Sequence, residues 1–235
     1  MPVPENRFKT RLLAGDTLIG CWLNLADGYA AEIMGTAGFD WLVIDGEHGP
    51  NDLVTIREQM TALAASPSEP VVRVPMDEPW LFKQLLDIGV RTFLVPNVES
   101  AEQAEAIVAA CRYPPAGIRG AGAALGRASR FGEIADYMAG ADGQICILVQ
   151  IESRKGLDAL EDIATVEGVD GLFIGPWDLS TDMGFVGNPA APEMRETIRT
   201  GLSRIKATGK APGILAVDDA TIGRYLEEGA CFICG

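Results

Sequence analysis

Apolar runs of strand length alternate with segments of helical periodicity along the chain. Thr17 to Leu25 predicts a first strand, and a short helix from Tyr29 to Thr36 is closed by Ala37-Gly38. Trp41 to Asp45 is a continuous apolar run ending in an acid, as expected of a strand covered on both faces. A helix follows from about Asp52 to Ala65. Pro67 and Pro70 punctuate, and Val71 to Pro75 forms a third strand. Pro79 stands where proline opens a helix, which runs to about Asp87 ahead of Gly89. Arg91 to Pro96 is a fourth strand. Ser100 and Gln103 have the spacing of a capping box and open a helix to Cys111. Tyr113-Pro114-Pro115-Ala116-Gly117 breaks the pattern, and Ile118 to Gly143 is long and irregular, a length at which loops are functional or carry small elements of their own. Gln144 to Ile151 is a fifth strand, Lys155 to Ala164 a helix, and Gly171 to Gly175 a sixth strand. After Asn188-Pro189 come a helix from Pro192 to Ala207, a strand from Gly213 to Val217, a helix from Ala220 to Glu228 and a last strand from Cys231 to Cys234.

Alternation of this kind forces right-handed crossovers and a parallel sheet. Eight strands in 235 residues predict an α/β fold of one domain, residues 1–235, closed as a (β/α)8 TIM barrel rather than an open doubly wound sheet. An open sheet would carry its glycine fingerprint at the first strand–helix turn, and none stands there. Gly120-Ala121-Gly122 with Gly126 lacks both a preceding strand and a Lys-Ser or Lys-Thr pair, so neither a dinucleotide site nor a P-loop survives. The sequence stops at Gly235 directly after strand eight, so the expectation is a missing eighth helix or a neighbour that covers that side.

Composition narrows the partners. At 48% hydrophobic and 7% aromatic residues the chain can bury a large core, and nothing in it reads as disordered. A net charge of −14 argues against a nucleic-acid surface and against anionic membranes; it suits divalent cations, or simply a solvated surface. Cys21, Cys111, Cys146, Cys231 and Cys234 are odd in number and sit largely in apolar runs, as in a reduced protein, and Cys231-Phe232-Ile233-Cys234 reads as core thiols because no helix starts after it. Met1 to Thr10 has no apolar core for a signal peptide, and no segment approaches membrane-spanning length. The expectation is a soluble, cytoplasmic protein that acts on small molecules.

In a barrel the carboxyl ends of the strands share one pocket. Strand two ends in Asp45-Gly46-Glu47-His48-Gly49-Pro50, and His48 is the only histidine. The plain reading is that these carboxylates cap the next helix and His48 is a satisfied loop residue. Further strand ends offer Arg73, Asn97, Gln150 with Glu152, and Asp178 in Gly175-Pro176-Trp177-Asp178. Glu152 and Asp178 come from adjacent strands and make a hard, all-oxygen pair suited to Mg²⁺ or Mn²⁺ rather than zinc. Alternatively, Glu152 caps the helix after strand five and Asp178 pairs with an arginine. Arg73 inside Val-Val-Arg-Val-Pro must point into the barrel or at an acid, because burying it alone is prohibitive. It either pairs with Glu47 or another strand-end acid, or also grips the carboxylate or oxo group of a small anion bidentately.

Together these residues resemble the HpcH/HpaI aldolase family, metal-dependent pyruvate aldolases that cleave 4-hydroxy-2-oxo acids. The matching blocks are Ala37-Gly38-Phe39-Asp40-Trp41 through Asp45-Gly46-Glu47-His48, Val72-Arg73-Val74-Pro75, Tyr113-Pro114-Pro115 with Gly117-Ile118-Arg119-Gly120, Gln150-Ile151-Glu152, and Gly175-Pro176-Trp177-Asp178-Leu179-Ser180. The resemblance implies Glu152 and Asp178 as ligands of a divalent cation (Mg²⁺ or Mn²⁺, with Co²⁺ as a third option) and Arg73 as the clamp on a pyruvate enolate. It implies His48 as catalytic base, Asp45 and Asp87 as acidic positions linked to that histidine, and Gln150 with Gly175 and Pro176 at the pyruvate site. The helical pattern places Asp87 at a helix end away from the strand mouths, which leaves a subunit contact as its route to the chemistry. The resemblance also implies a homo-oligomer, a hexamer built as a trimer of dimers through an exchanged carboxyl-terminal helix, and the sequence ends before such a helix.

The expected activity is reversible cleavage of a 2-keto-3-deoxy sugar acid, or an acid of the 4-hydroxy-2-oxoheptanedioate type, to pyruvate and an aldehyde. A cation chelated by the 2-oxo acid stabilises the enolate, Arg73 adds charge at its oxygen, and His48 removes the C4 hydroxyl proton. A Schiff-base route needs a lysine at a strand's carboxyl end. Lys9, Lys83, Lys155, Lys206 and Lys210 fall instead on termini, helices or the amino side of strand seven. Two rival functions are an acyl-CoA lyase of the malyl- or citryl-CoA type and a non-catalytic keto-acid-binding barrel. The first needs a surface for CoA phosphates, for which only Arg112, Arg119, Arg127 and Arg130 offer themselves; the second has no use for a base.

Overall fold

A computed structural model describes all residues from Met1 to Gly235. The strands are β1 (Leu18–Leu23), β2 (Trp41–Asp45), β3 (Glu69–Arg73), β4 (Thr92–Val95), β5 (Cys146–Ile151), β6 (Gly171–Ile174), β7 (Ala211–Leu215) and β8 (Phe232–Cys234). Each pairs in parallel with the next, and β8 pairs with β1, so the sheet closes as a barrel. Helices α1 (Arg7–Leu13), α2 (Gly28–Met34), α3 (Leu53–Ala62), α4 (Pro79–Asp87), α5 (Ala101–Cys111), α6 (Tyr137–Ala141), α7 (Arg154–Asp158), α8 (Leu160–Thr165), α9 (Pro176–Asp182), α10 (Pro192–Ala207) and α11 (Asp219–Glu227) complete the chain. No helix is long and apolar enough to cross a membrane.

Because both faces of this sheet are covered, the strands read as unbroken apolar runs, yet the pleat still sorts side chains by parity. Trp41 and Val43 of β2, Val71 of β3, Cys146 and Leu148 of β5 and Phe173 of β6 belong to the cluster inside the barrel. Their alternates Leu42, Ile44, Val72, Ile147, Val149, Leu172 and Ile174 belong to the larger cluster under the helices. Continuing the inward parity toward the carboxyl ends gives Asp45, Arg73, Gln150 and Glu152. The sheet itself aims these polar side chains at one place.

The amino-terminal end of the barrel is closed by α1, an element the hydrophobic pattern of Met1 to Thr10 does not announce. Asn6 caps it by accepting from the Lys9 N–H, and donates to the Thr92 hydroxyl (2.9 Å) and the Gln144 carbonyl (2.9 Å). Phe8 and Leu12 then enter the inner cluster, with the Phe8 ring 5.4 Å from Trp41 and 6.3 Å from Phe232. Phe8→Ala should therefore cost about 3–5 kcal/mol of stability, the range for emptying a buried aromatic site. Denaturant unfolding would show it, while cation binding at the far end of the barrel should stay as in the parent chain.

Other differences are local. The third and seventh strands sit two residues earlier than the pattern predicts, and the helix expected from Lys155 to Ala164 is two pieces, α7 and α8, broken at Ala159. Helix α9, opened by Pro176, is an element the pattern does not predict. The irregular stretch from 118 to 143 holds 3-10 turns at Ala123–Leu125 and Arg127–Ser129 and helix α6, gathered on a small core of Tyr113, Ala123, Ile134, Tyr137 and Ala141. All the cysteines are free, and burial pushes Cys111 up to about 12 and Cys231 up to about 11, as expected of packed thiols.

Candidate active site

Asp45 and Arg73 are direct partners in the β2–β3 register, so the turn-free geometry of two strands places them side by side. The Arg73 guanidinium donates to Asp45 Oδ1 (2.8 Å) and Oδ2 (2.7 Å) as a fork, and its third nitrogen lies 3.0 Å from Glu47 Oε2. Its guanidinium carbon lies over the Trp22 ring, 4.3 Å from the centroid. Both members of the Asp45–Arg73 pair are buried. Burial alone would raise Asp45, but the hydrogen bonds and charge of Arg73 overcome it and hold the carboxyl below its ordinary value. Burial likewise opposes the Arg73 charge, and Asp45 and then Glu47 more than restore it. The ion pair with a strand-end acid expected for Arg73 is present, and its main partner is Asp45.

Glu152, one residue beyond β5, is 5% exposed. It accepts from the Gln150 side-chain amide (2.7 Å) and from the Asn97 N–H (3.1 Å). Gly175 makes its position available: a Cβ there would fall 2.2 Å from Glu152 Oε1. Burial pushes the Glu152 carboxyl up to about 7, with Glu47 and Asp178 adding repulsion and Arg73 only partly offsetting it. Glu47 is raised as well, by burial first and by Asp45 and Asp178. Asp178 stands in the first turn of α9, exposed at the mouth. Glu152 does not cap α7; that role belongs to Ser153, which accepts from the Gly156 N–H. Asp178 has no arginine partner among the ion pairs.

This donor set fits a hard divalent cation. Buried Glu152 and half-buried Glu47 repel each other and the rim carboxylate Asp178, with Arg73 only partly offsetting them, and a cation would relieve that repulsion. No group of three or more His, Cys, Asp or Glu side chains forms a closed metal cage. A pair of carboxylates leaves the other positions of an octahedron to water and to substrate oxygens. The Gln150 side-chain Oε1 is buried without a hydrogen-bond partner, whereas its backbone carbonyl accepts from the Val98 N–H.

His48 sits at the rim with its side chain 65% exposed, its Nε2 3.9 Å from Glu47 Oε2. Asp45 Oδ1 accepts from the backbone N–H groups of Glu47 and His48, so Asp45 fixes the loop that carries the imidazole rather than the imidazole itself. Asp87 lies elsewhere. It ends α4, on the amino-terminal side of the barrel, and pairs with the buried Arg119 (3.3 Å), whose guanidinium stacks 4.3 Å over Tyr113. Trp22 is the site residue that motif reading passes over; its signal was the inward parity of Leu18, Gly20 and Trp22 along β1.

The rival chemistries find little support. Lys9 and Lys210 are tied to the Ile145 and Val169 carbonyls at the amino-terminal end, and Lys155 pairs with Glu99 on an exposed rim. Arg119 is buried in its ion pair, and Arg127 donates to the carbonyls of Ile88 and Met60, again away from the mouth. These cations cannot hold CoA phosphates at the strand ends.

The sequence profile of the HpcH/HpaI aldolase/citrate lyase family matches residues 18–234. A hydroxypyruvate/pyruvate aldolase from Roseovarius nubinhibens is 58% identical over 233 residues, covering 99% of this chain and 91% of that one. A 4-hydroxy-2-oxo-heptane-1,7-dioate aldolase from Salmonella dublin is 53% identical over 229 residues, 97% of this chain and 87% of that one. The crystal structure of a family protein from Burkholderia cenocepacia superposes with a TM-score of 0.94 at 42% identity, covering 97% of this chain and 91% of that chain. A profile spanning nearly the whole barrel, relatives named for aldol cleavage and a superposition this close agree with the geometry of the strand ends: the chain belongs to the HpcH/HpaI aldolase/citrate lyase family and is an aldolase, a carbon–carbon lyase.

Proposed function

We propose that the substrates are 4-hydroxy-2-oxo acids, cleaved reversibly to pyruvate and an aldehyde with a divalent cation, Mg²⁺ or Mn²⁺ (Co²⁺ also suits the donors), held by Glu152 and Asp178. The observation that carries this reading is the Arg73 fork, pinned by Asp45 in the same pocket as a buried carboxyl whose proton affinity is raised. When bound, the cation supplies Lewis-acid charge to the carboxylate and ketone oxygens of a 2-oxo acid. The chain's residues supply the rest. Arg73, oriented by Asp45 and backed by Trp22, holds fixed positive charge where the enolate oxygen develops, without reorganising during the reaction. Gln150 orients Glu152 with its amide and offers its unpartnered oxygen to the pocket. His48 takes the C4 hydroxyl proton in cleavage and returns it in addition, because imidazole is the side-chain type that exchanges protons near neutral pH. Its place at the rim suits the outer, aldehyde half of the substrate. Asp87 is remote from His48 within one chain, so any part it takes there comes from a second copy.

A retro-aldol screen over a panel of 4-hydroxy-2-oxo acids tests this. Pyruvate should appear with Mg²⁺ or Mn²⁺, stop with EDTA and return when the cation is restored. His48→Ala should lower kcat by about 10²–10⁴-fold, the usual range for a general base, with cation binding unchanged. Unaltered turnover in that variant would remove His48 from the role.

The raised Glu152 also sets a pH dependence. A cation binds the carboxylate, not the acid, so its affinity should weaken by close to tenfold per pH unit as pH falls below about 7. Loading near pH 6.5 should release protons. For the metal-free fold the sign is opposite: a carboxyl raised by folding favours the folded state at low pH, and that contribution is lost as pH rises from the ordinary carboxyl range through about 7. Mn²⁺ titrations at pH 6, 7 and 8, followed by electron paramagnetic resonance, check the first point. Equal affinity at all three would reject it.

A further inference from the structure

On the end of the barrel opposite the active site, a cavity of about 410 Å³ is lined by Arg7, Arg91, Arg127 and Arg130 with a single carboxylate, Glu69. Such a concentration of guanidinium groups is unexpected in a chain of net charge −14. We propose that this cavity is a binding site for a small anion carrying two or more negative charges, gripped by Arg127 and Arg130 with Arg91 behind them.

The charges do not balance without one. Glu69 is shared between Arg7 and Arg91, the latter at 3.6 Å. Arg127 has no acid partner; it donates to the carbonyls of Ile88 (2.9 Å) and Met60 (3.1 Å). Arg130 has no acid partner, and its side chain hydrogen-bonds only to the Met1 sulfur (3.4 Å). Burial lowers both Arg91 and Arg127; Glu69 offsets part of this at Arg91, where Arg7 acts against it, and Arg91 lowers Arg127 further. A bound anion would relieve that repulsion.

Some of these contacts are structural. Arg91 pins the carbonyls of Pro4 and Glu5, and Arg127 ties down the end of α4. A guanidinium has five N–H donors in a planar fork, so each of these arginines keeps donors to spare. The backbone is also shaped around them. Gly89, at φ +99°, lies where a Cβ would come within 2.9 Å of the Arg127 guanidinium. Arg130 and Phe131 hold left-handed conformations in succession, at φ 52° and 56°, which non-glycine residues adopt at a cost and which place both at the cavity wall. The volume falls within the range of small-molecule sites. Tetrahedral oxyanions and dicarboxylates share the chemistry the fork recognises.

Isothermal titration calorimetry of the Mg²⁺-loaded protein with sulfate and with succinate, at ionic strength fixed by sodium chloride, tests the proposal. At least one should bind at one site per chain. Heat with sulfate alone identifies a tetrahedral oxyanion, heat with succinate alone a dicarboxylate, and heat with both a site that reads charge; each supports the proposal when the variants agree. Arg127→Ala should weaken binding at least tenfold and Arg130→Ala at least fivefold, whereas Glu69→Gln should tighten it by removing the competing carboxylate. Binding of whichever anion gives heat should persist in Glu152→Gln, which separates this cavity from the active site and lets the proposal stand or fall apart from the aldolase reading. If Arg127→Ala fails to fold, Arg130→Ala decides, since that side chain supports no backbone group. Absence of heat with both anions, or binding that Arg130→Ala leaves unchanged, overturns the site.

Discussion

Glu152→Ala should abolish measurable retro-aldol turnover, a loss of at least about 10³-fold in kcat, together with tight divalent-cation binding. The argument rests on burial and geometry together. Glu152 is held by the Gln150 amide and the Asn97 N–H, and Gly175 is cleared of any side chain beside it. Of the neighbouring carboxylates, Glu47 is engaged by Arg73 and Asp178 stands on the rim. Asp178→Ala should act in the same direction. Removing a carboxyl raised by burial should not destabilise the metal-free fold, so circular dichroism and thermal melting should report an intact barrel. Loss of turnover with loss of Mn²⁺ binding in a folded variant is the expected pattern. Wild-type turnover of either variant in the presence of chelator would reject the metal site.

Much of this arrangement is legible in the sequence because a parallel barrel obeys simple rules. Strands alternating with helices imply closure at eight, and strand ends imply convergence. Parity along Trp41, Val43 and Asp45, or along Cys146, Leu148, Gln150 and Glu152, already says which polar side chains face inward. Local backbone events were less visible. Helix α1 is one short segment whose apolar residues are Phe8, Leu12 and the exposed Leu13, too few for periodicity to register, although Asn6 is a fair cap. Helix α9 was hidden because Gly175-Pro176 reads equally as the stop of a strand and the first turn of a helix. The partner of Arg73 was narrowed to strand-end acids but not chosen, since register between β2 and β3 is a tertiary fact. Asp87 shows the reverse limit: a motif match carries no information about which end of the barrel its residue occupies, whereas the helix pattern did.

Arg73→Lys should lower kcat/KM by about 10³-fold, ~4 kcal/mol of transition-state stabilisation, although the charge is conserved. The arginine does three things at once: it fills both oxygens of Asp45, reaches Glu47 with its third nitrogen, and sits over the Trp22 ring. An ammonium can occupy only one point of that fork, so it leaves an Asp45 oxygen without its donor and moves the charge away from the place where the enolate oxygen forms. If the fork acts in the transition state, the loss appears in kcat with KM little changed; a rise in KM alone would mean that Arg73 merely binds the ground state. A structural readout accompanies the kinetic one. Folding holds Asp45 below its ordinary value, so the Arg73–Asp45 pair contributes stability above the unfolded carboxyl range that is lost as pH falls through the lowered value. Weakening the fork should shrink that contribution and move acid unfolding of Arg73→Lys to higher pH than the parent chain. Kinetics and acid titration that both match the parent would show that the planar fork, and with it the enolate clamp, is not required.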